Sequence, residues 1–263
     1  MEITELDAAR VYEDLFVPAL FDRWARVVAG AALFKPGDRV LDVACGTGAL
    51  TRVAAEQVAP GGRVIGMDPN AGMLSVATQT SPGIQWKEGQ AEAIPFQDGA
   101  FDVVVSQFGL MFFSDPTKGV QEMIRVLAPG GRLVIAVWDA IEKSPIFAVV
   151  DEIYLRTLGE SAREELRAPF LFGDYRSFLA LLARSCPYPH EVATRQVLAC
   201  FPSADSMVRA DLEGWMPQTQ IGLEQGQIKS ILQETKQALS PFTNPLGMLE
   251  GSVSAHIASI IKS

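Results

Sequence analysis

The residues best placed to do chemistry in this chain are two carboxylates set around a pair of glycines. Asp42 lies inside the apolar run Val40-Leu41-Asp42-Val43-Ala44, Gly46 and Gly48 follow at once, and Asp68 closes the next apolar run, Arg63-Val64-Ile65-Gly66-Met67. The glycines permit a sharp bend and let a ligand approach the backbone with no Cβ in its way. In an open α/β sheet, such a strand, turn and helix hold a ligand at the carboxyl end of the strand. The spacing invites comparison with the dinucleotide fingerprint G-x-G-x-x-G, but Thr51 stands at the third glycine. Asp68 falls about 20 residues past the glycines, where a ribose-binding acid is expected. A carboxylate accepts both hydroxyls of a ribose diol at once; as an N-cap it would instead open the next helix, and one residue can do both. Asp42 would sit badly beside a pyrophosphate and well beside an amine or a sulfonium. Its plainer role is to stabilise the turn at the strand end.

The elements that must position these groups follow from periodicity. Strands read at about 39–44, 63–67, 84–88, 101–106 and 131–138, with helices at about 48–58, 71–80 and 116–127. Strand alternating with helix implies a parallel sheet covered on both faces. Two near copies, Ala59-Pro60-Gly61-Gly62-Arg63 and Ala128-Pro129-Gly130-Gly131-Arg132, mark helix-to-strand junctions. Residues 5–34 read as helical, with an apolar face of Leu6, Val11, Leu15, Phe16, Leu20, Phe21 and Trp24 interrupted at Pro18. Beyond residue 140, helices are expected at about 145–158, 174–185, 203–214 and 223–239, with a sixth strand at Glu191–Phe201 and a last one within Gly247–Lys262.

Composition narrows the partners. With 263 residues and 48% apolar content, the chain can bury one full core and an added subdomain. Net charge is −9 with no basic stripe, which favours a small-molecule substrate over nucleic acid. No apolar run reaches the ~18 residues of a membrane span, and the acidic start Met1-Glu2-Ile3-Thr4-Glu5 lacks a signal-peptide pattern, so no membrane association and a cytoplasmic location are expected. Cys45, Cys186 and Cys200 show no C-x-x-C spacing, and their odd number argues against a disulfide framework. No metal-ligand spacing is present. His190 and His256 are the histidines available to take a proton, but neither sits in a motif, and no catalytic base is nominated. The sequence does not reveal an oligomeric state.

Asp42-Val43-Ala44-Cys45-Gly46-Thr47-Gly48 resembles the first motif of the class I S-adenosylmethionine-dependent methyltransferases, most closely the branch that includes the ubiquinone/menaquinone-biosynthesis enzymes. Further motifs follow in order: Val64-Ile65-Gly66-Met67-Asp68-Pro69-Asn70-Ala71-Gly72-Met73-Leu74, then Glu88-Gly89-Gln90-Ala91-Glu92-Ala93-Ile94-Pro95-Phe96 with Phe101-Asp102-Val103-Val104-Val105-Ser106, then Leu127-Ala128-Pro129-Gly130-Gly131-Arg132-Leu133. The resemblance covers residues 10–140 strongly and the rest weakly. It implies an α/β, Rossmann-like, seven-stranded sheet with helices on both faces, ending in an antiparallel hairpin. It also implies one domain over 1–263, a helical lid at 1–34 and a helical cap at 140–245 around strand six.

The same resemblance implies S-adenosyl-L-methionine as cofactor and assigns its contacts. Tyr12 would cover it from the lid; Asp42, Ala44, Gly46 and Gly48 would meet its amino acid end; Asp68 and Pro69 would hold the ribose; Met73, Gln90 and Ala91 would enclose the adenine; Gln107 and Phe108 would line the methyl-transfer channel. Gln90 departs from the acid common in the family, although an amide oxygen still bonds an adenine amino group. Leu110, Met111, Phe112 and Phe113 read as core packing. The implied activity is methyl transfer to an oxygen, nitrogen or carbon of a small molecule. Phe147, Tyr154, Phe170, Leu171, Phe172, Trp215 and Met216 would suit an aromatic or lipid-like acceptor, and are equally what a helical cap needs to fold. Two rivals stand beside this reading: a methyltransferase-fold protein that binds the cofactor without catalysis, and an NAD-dependent oxidoreductase, which Thr51 and Asp42 oppose.

Overall fold

A computed structural model describes residues 4–215 and 225–263. Met216 and the start of the helix expected at 223 lie outside the described residues. Seven strands form one sheet: β1 (Arg39–Val43), β2 (Arg63–Asp68), β3 (Gln85–Glu88), β4 (Phe101–Gln107), β5 (Leu127–Trp138), β6 (His190–Phe201) and β7 (Leu249–Ile261), in the order β3-β2-β1-β4-β5-β7-β6. The first five run parallel, while β7 pairs antiparallel with both β5 and β6. Val40, Leu41, Val43, Val104, Val105 and Leu133–Val137 are all fully buried. Runs buried at consecutive positions require cover on both faces, as in an α/β sheet. Strand order reverses between β1 and β4, and the crevice outside their carboxyl ends is where such sheets bind ligands.

The N-terminal segment is helical throughout, as α1 (Glu5–Val11), a wide turn (Tyr12–Phe21) and α2 (Asp22–Ala32). Thr4 and Asp7 close a capping box at its start. Pro18 has no N–H to give to the helix ladder, and in this stretch the Asp22 N–H reaches Val17 O, five residues back. Then come α3 (Ala49–Val58), α4 (Ala71–Thr80) and α5 (Pro116–Val126), the last capped by Asp115 with Pro116 in its first turn. Between β5 and β6 lie α6 (Pro145–Leu158), α7 (Glu160–Arg167) and α8 (Tyr175–Ser185); between β6 and β7 lie α9 (Ala204–Arg209), a second wide turn (Ala210–Trp215) and α10 (Gln225–Ala238). Asp151 on α6 is buried and accepts from Arg163 and Arg167 of α7, which clamps these two helices together.

Three local expectations are corrected. β5 begins at Leu127 rather than 131, because Gly130 N donates to Lys262 O (2.6 Å) and Gly131 O accepts from Lys262 N (3.0 Å), which draws the Ala-Pro-Gly-Gly segment into the sheet. The helix expected at 203–214 gives way at Ala210 to the wide turn. β6 opens at His190, one residue before the expected Glu191. No helix among the described residues is long and apolar enough to cross a membrane.

Candidate active site

Where β1 ends, the chain turns through Ala44 (φ 57°), Gly46 (φ 56°) and Gly48 (φ 92°) before entering α3. Cys45 N donates to Met67 O (3.1 Å) and Gly48 N to Cys45 O (2.9 Å), so the turn is tied to β2 and to itself. Left-handed backbone at a non-glycine residue costs about 1–2 kcal/mol, and at Ala44 the surroundings hold it. Gly109, beyond β4, makes the room: a Cβ there would lie 2.5 Å from Ala44 Cβ. Gly48 is needed for a different reason from the one expected. It does not line the cavity described below; a Cβ on it would lie 2.4 Å from the Trp86 ring, so it is a packing glycine at the helix start.

The two carboxylates face the turn from adjacent strands. Asp68 is buried, and it accepts Gly46 N–H at Oδ2 (2.8 Å) and Asn70 N–H at Oδ1 (2.9 Å). Burial pushes its pKa up while those two donors pull it down. The N-cap of α4 is Asn70, whose Oδ1 accepts Met73 N–H, so Asp68 does not cap that helix. Asp42 accepts the Thr51 hydroxyl at Oδ2 (2.6 Å), and its Oδ1 is buried with no partner among the described residues. Burial pushes Asp42 up to about 7, with the Thr51 hydroxyl acting against the shift. Thr51, the residue that breaks the dinucleotide fingerprint, is thus what orients the buried acid.

A cavity of about 410 Å³ opens at the carboxyl end of β1, β2 and β4. Eleven of the twelve residues expected to meet a cofactor line it: Tyr12, Asp42, Ala44, Gly46, Asp68, Pro69, Met73, Gln90, Ala91, Gln107 and Phe108. The N-terminal segment closes one side. Glu13 pairs with Arg52 of α3 (3.0 Å), and the same guanidinium donates to Thr47 O (2.8 Å). Tyr12 stacks on Phe21 with ring centroids 4.9 Å apart. Burial, with Asp68 and Glu13 nearby, raises the Tyr12 pKa and keeps its hydroxyl neutral. The cavity suits S-adenosylmethionine on grounds of its own. The unpartnered Asp42 oxygen calls for a cation or donor, Asp68 has lone pairs left for ribose hydroxyls, and buried Met73 and Ala91 supply apolar walls.

Next to it lies a chamber of about 90 Å³ lined by Phe16, Phe147, Phe170, Trp138 and Leu166. The two spaces share Tyr12, Phe21, Phe108, Phe112 and Trp215. Phe108, itself at φ 57°, stacks face to face on Trp138 with centroids 3.5 Å apart. Phe112 was expected in the core; it is 48% exposed and packs on Trp215 at 5.0 Å, at the rim of both spaces. Asp211, buried in the second wide turn, also lines the chamber and accepts the Tyr154 hydroxyl. Trp24 is fully buried against Phe108 and Trp138 and lines neither space. His256 is buried on β7 between Thr194 and Asp139, outside both, and His190 likewise lines neither. Sequence reasoning named neither Asn70 and Phe21 as part of the site nor Thr51 and Asp211. The first two were visible as a cap residue and an aromatic on the apolar face of the N-terminal helical segment.

Known proteins place this arrangement. Residues 41–135 match a model of the methyltransferase domain. The chain is 39% identical over 147 residues to the demethylmenaquinone methyltransferase of Renibacterium salmoninarum, an alignment covering 56% of this chain and 61% of that protein. It is 35% identical over 190 residues to the enzyme of the same name from Thermus thermophilus, covering 68% and 81%. For the first relative, then, the match spans less than two thirds of its length. Among solved structures, a protein from an antibiotic biosynthesis pathway of Anabaena variabilis superimposes with TM-score 0.67 at 18% identity, over 89% of this chain and 96% of that one. Phosphoethanolamine N-methyltransferase 2 of Haemonchus contortus, in complex with S-adenosyl-L-methionine, gives 0.56 at 18% identity, over 92% and 53%. At such identities the structures speak for the fold; the Thermus relative, aligned over four-fifths of its own length, speaks for descent. The chain belongs to the class I S-adenosylmethionine-dependent methyltransferases.

Proposed function

We propose that this protein transfers a methyl group from S-adenosylmethionine to a small, ring-bearing apolar acceptor seated in the aromatic chamber. One observation carries this reading: the chamber and the larger cavity share an aromatic wall, so an acceptor in one meets a donor in the other. S-adenosylmethionine supplies a methyl carbon on a positively charged sulfur that leaves readily. The chain's own residues hold and align. Asp42 takes the ammonium at Oδ1, which accepts no bond from a described residue. Asp68 takes the ribose hydroxyls while its own position is fixed by Gly46 and Asn70. Met73 and Ala91 would flank the adenine, and Gln90, beside them in the cavity wall, would bond its edge. Phe21 and Phe108 line both spaces, and an aromatic ring beside the sulfonium would contribute about 0.5–2 kcal/mol. Holding both reactants in line offsets roughly 7–11 kcal/mol of barrier, and the lid excludes water.

The names of the relatives favour a quinol ring as acceptor, with a ring carbon receiving the methyl group. A 90 Å³ chamber is smaller than the ~150 Å³ pocket that admits benzene. A quinol therefore does not fit wholly inside it and would extend along the rim formed by Phe112 and Trp215. The test is incubation with S-adenosylmethionine and unsubstituted 1,4-naphthohydroquinone, followed by mass analysis of the product. A singly methylated ring supports the reading. Cofactor binding with no methylation of this or any related quinol or phenol would favour a protein that binds the donor without catalysis.

A further inference from the structure

Among the described residues the chamber is lined by one charged side chain, Asp211, and nothing in methyl-donor binding uses it. Asp211 is 5% exposed, sits in the wide turn that follows α9, and lines the chamber among Phe16, Phe147, Phe170 and Trp215. A buried carboxylate in such surroundings is costly unless donors satisfy it. The hydroxyl of Tyr154, fully buried on α6, donates to Oδ2. A carboxylate accepts about four hydrogen bonds, and the Tyr154 hydroxyl takes up one of them, at Oδ2. The chamber thus has a carboxylate on an otherwise aromatic and aliphatic wall, steadied by Tyr154 of α6.

Resting on the reading of this chamber as the acceptor side, we propose that Asp211 binds the acceptor through a phenolic hydroxyl and receives its proton. Tyr154 then acts as a positioning residue. The bond already present is a phenol donating to this carboxylate, the same chemistry the acceptor would bring. Burial also pushes Asp211 up to about 6, closer to the range in which a carboxylate takes a proton readily. In the transfer step a nucleophilic atom of the acceptor bonds the methyl carbon. The carbon–sulfur bond breaks with its electron pair kept by sulfur, and the phenolic proton ends on Asp211; where a ring carbon is methylated, the C–H proton it still carries is then lost and the ring oxygen regains a proton as the ring becomes aromatic again. No oxidant or reductant is required.

The test uses the full chain saturated with S-adenosylhomocysteine, and reads the fluorescence of Trp138 and Trp215 in the chamber wall. The probes are 4-propylphenol and its methyl ether, 4-propylanisole. Wild type should bind the phenol at least about tenfold more tightly, the effect of one hydrogen bond to a charged acceptor. Asp211→Asn, which keeps an oxygen for Tyr154, should bring that preference below about threefold. Tyr154→Phe should keep most of it. With 1,4-naphthohydroquinone, Asp211→Asn should lower kcat at least about a hundredfold while KM changes far less. Equal binding of phenol and ether by wild type overturns the proposal, and needs no variant to fold. So does tighter binding of benzyltrimethylammonium than of the phenol, which would make Asp211 a counter-ion for a cationic acceptor. Absence of S-adenosylhomocysteine binding would strike the underlying reading instead, and is visible before any probe is added.

Discussion

Replacing Asp68 by Asn tests the ribose contact with little change of shape. In the native site each carboxylate oxygen accepts one backbone N–H, from Gly46 at 2.8 Å and from Asn70 at 2.9 Å. An amide offers one acceptor oxygen, so one of those bonds is lost, and an NH2 group meets one of the two N–H donors. On the ligand side, one ribose hydroxyl loses its acceptor. A hydrogen bond to a charged group contributes about 1.5–3 kcal/mol, and 1.4 kcal/mol is tenfold in affinity. Calorimetry should therefore show S-adenosylhomocysteine binding weakened by roughly 10- to 150-fold, with a lower Tm from the loosened Gly46 turn. Loop damage and ribose contact separate in a cycle with the 2′,3′-dideoxy ligand. Wild type should lose affinity for that ligand, while Asp68→Asn should discriminate between the two ligands much less. A variant that discriminates as strongly as wild type would refute the assignment, whatever its absolute affinity.

Other outcomes follow from the same geometry. Asp42 is pushed up to about 7 in the free protein, and an ammonium beside it favours the charged form. S-adenosylhomocysteine binding should therefore weaken as pH falls below about 7, by up to about tenfold per unit, and Asp42→Asn should flatten the profile. Because this pKa is raised above the unfolded value of 3.8, its contribution to folding is present below about pH 4 and lost as pH rises through about 7. Thr51→Val removes the donor to Asp42 Oδ2 and should cost about 1–3 kcal/mol of stability in denaturant titration. Gly48→Ala puts a Cβ 2.4 Å from Trp86 at φ 92° and should cost about 2–4 kcal/mol by the same measurement. Arg52→Ala frees the N-terminal helical segment from α3, and should weaken ligand binding several-fold and speed proteolysis between residues 4 and 32.

What could be read directly from the sequence is what local pattern encodes. Buried parallel strands write themselves as apolar runs, so β1 to β4 fell within a residue or two of their expected places. The Asp42 and Asp68 positions followed from strand ends. Contacts between distant residues left no such trace. The start of β5 depends on Lys262, far along the chain, and the Tyr154–Asp211 pair joins residues 57 apart. The wide turn at Tyr12–Phe21 keeps helical hydrophobicity and so reads as plain helix. Phe112 looks like core because its neighbours Leu110 and Met111 are; its exposure is decided by Trp215 and the mouth of the cavity. In the sequence Thr51 reads only as a missing glycine, since its role needs Asp42 folded back beside it.

The most direct test of donor binding in the 410 Å³ cavity is calorimetric titration of the purified protein with S-adenosylhomocysteine, with NAD titrated in parallel. Micromolar, one-to-one binding of S-adenosylhomocysteine with no heat from NAD is the predicted result. Binding of NAD alone, or of neither ligand, would contradict it.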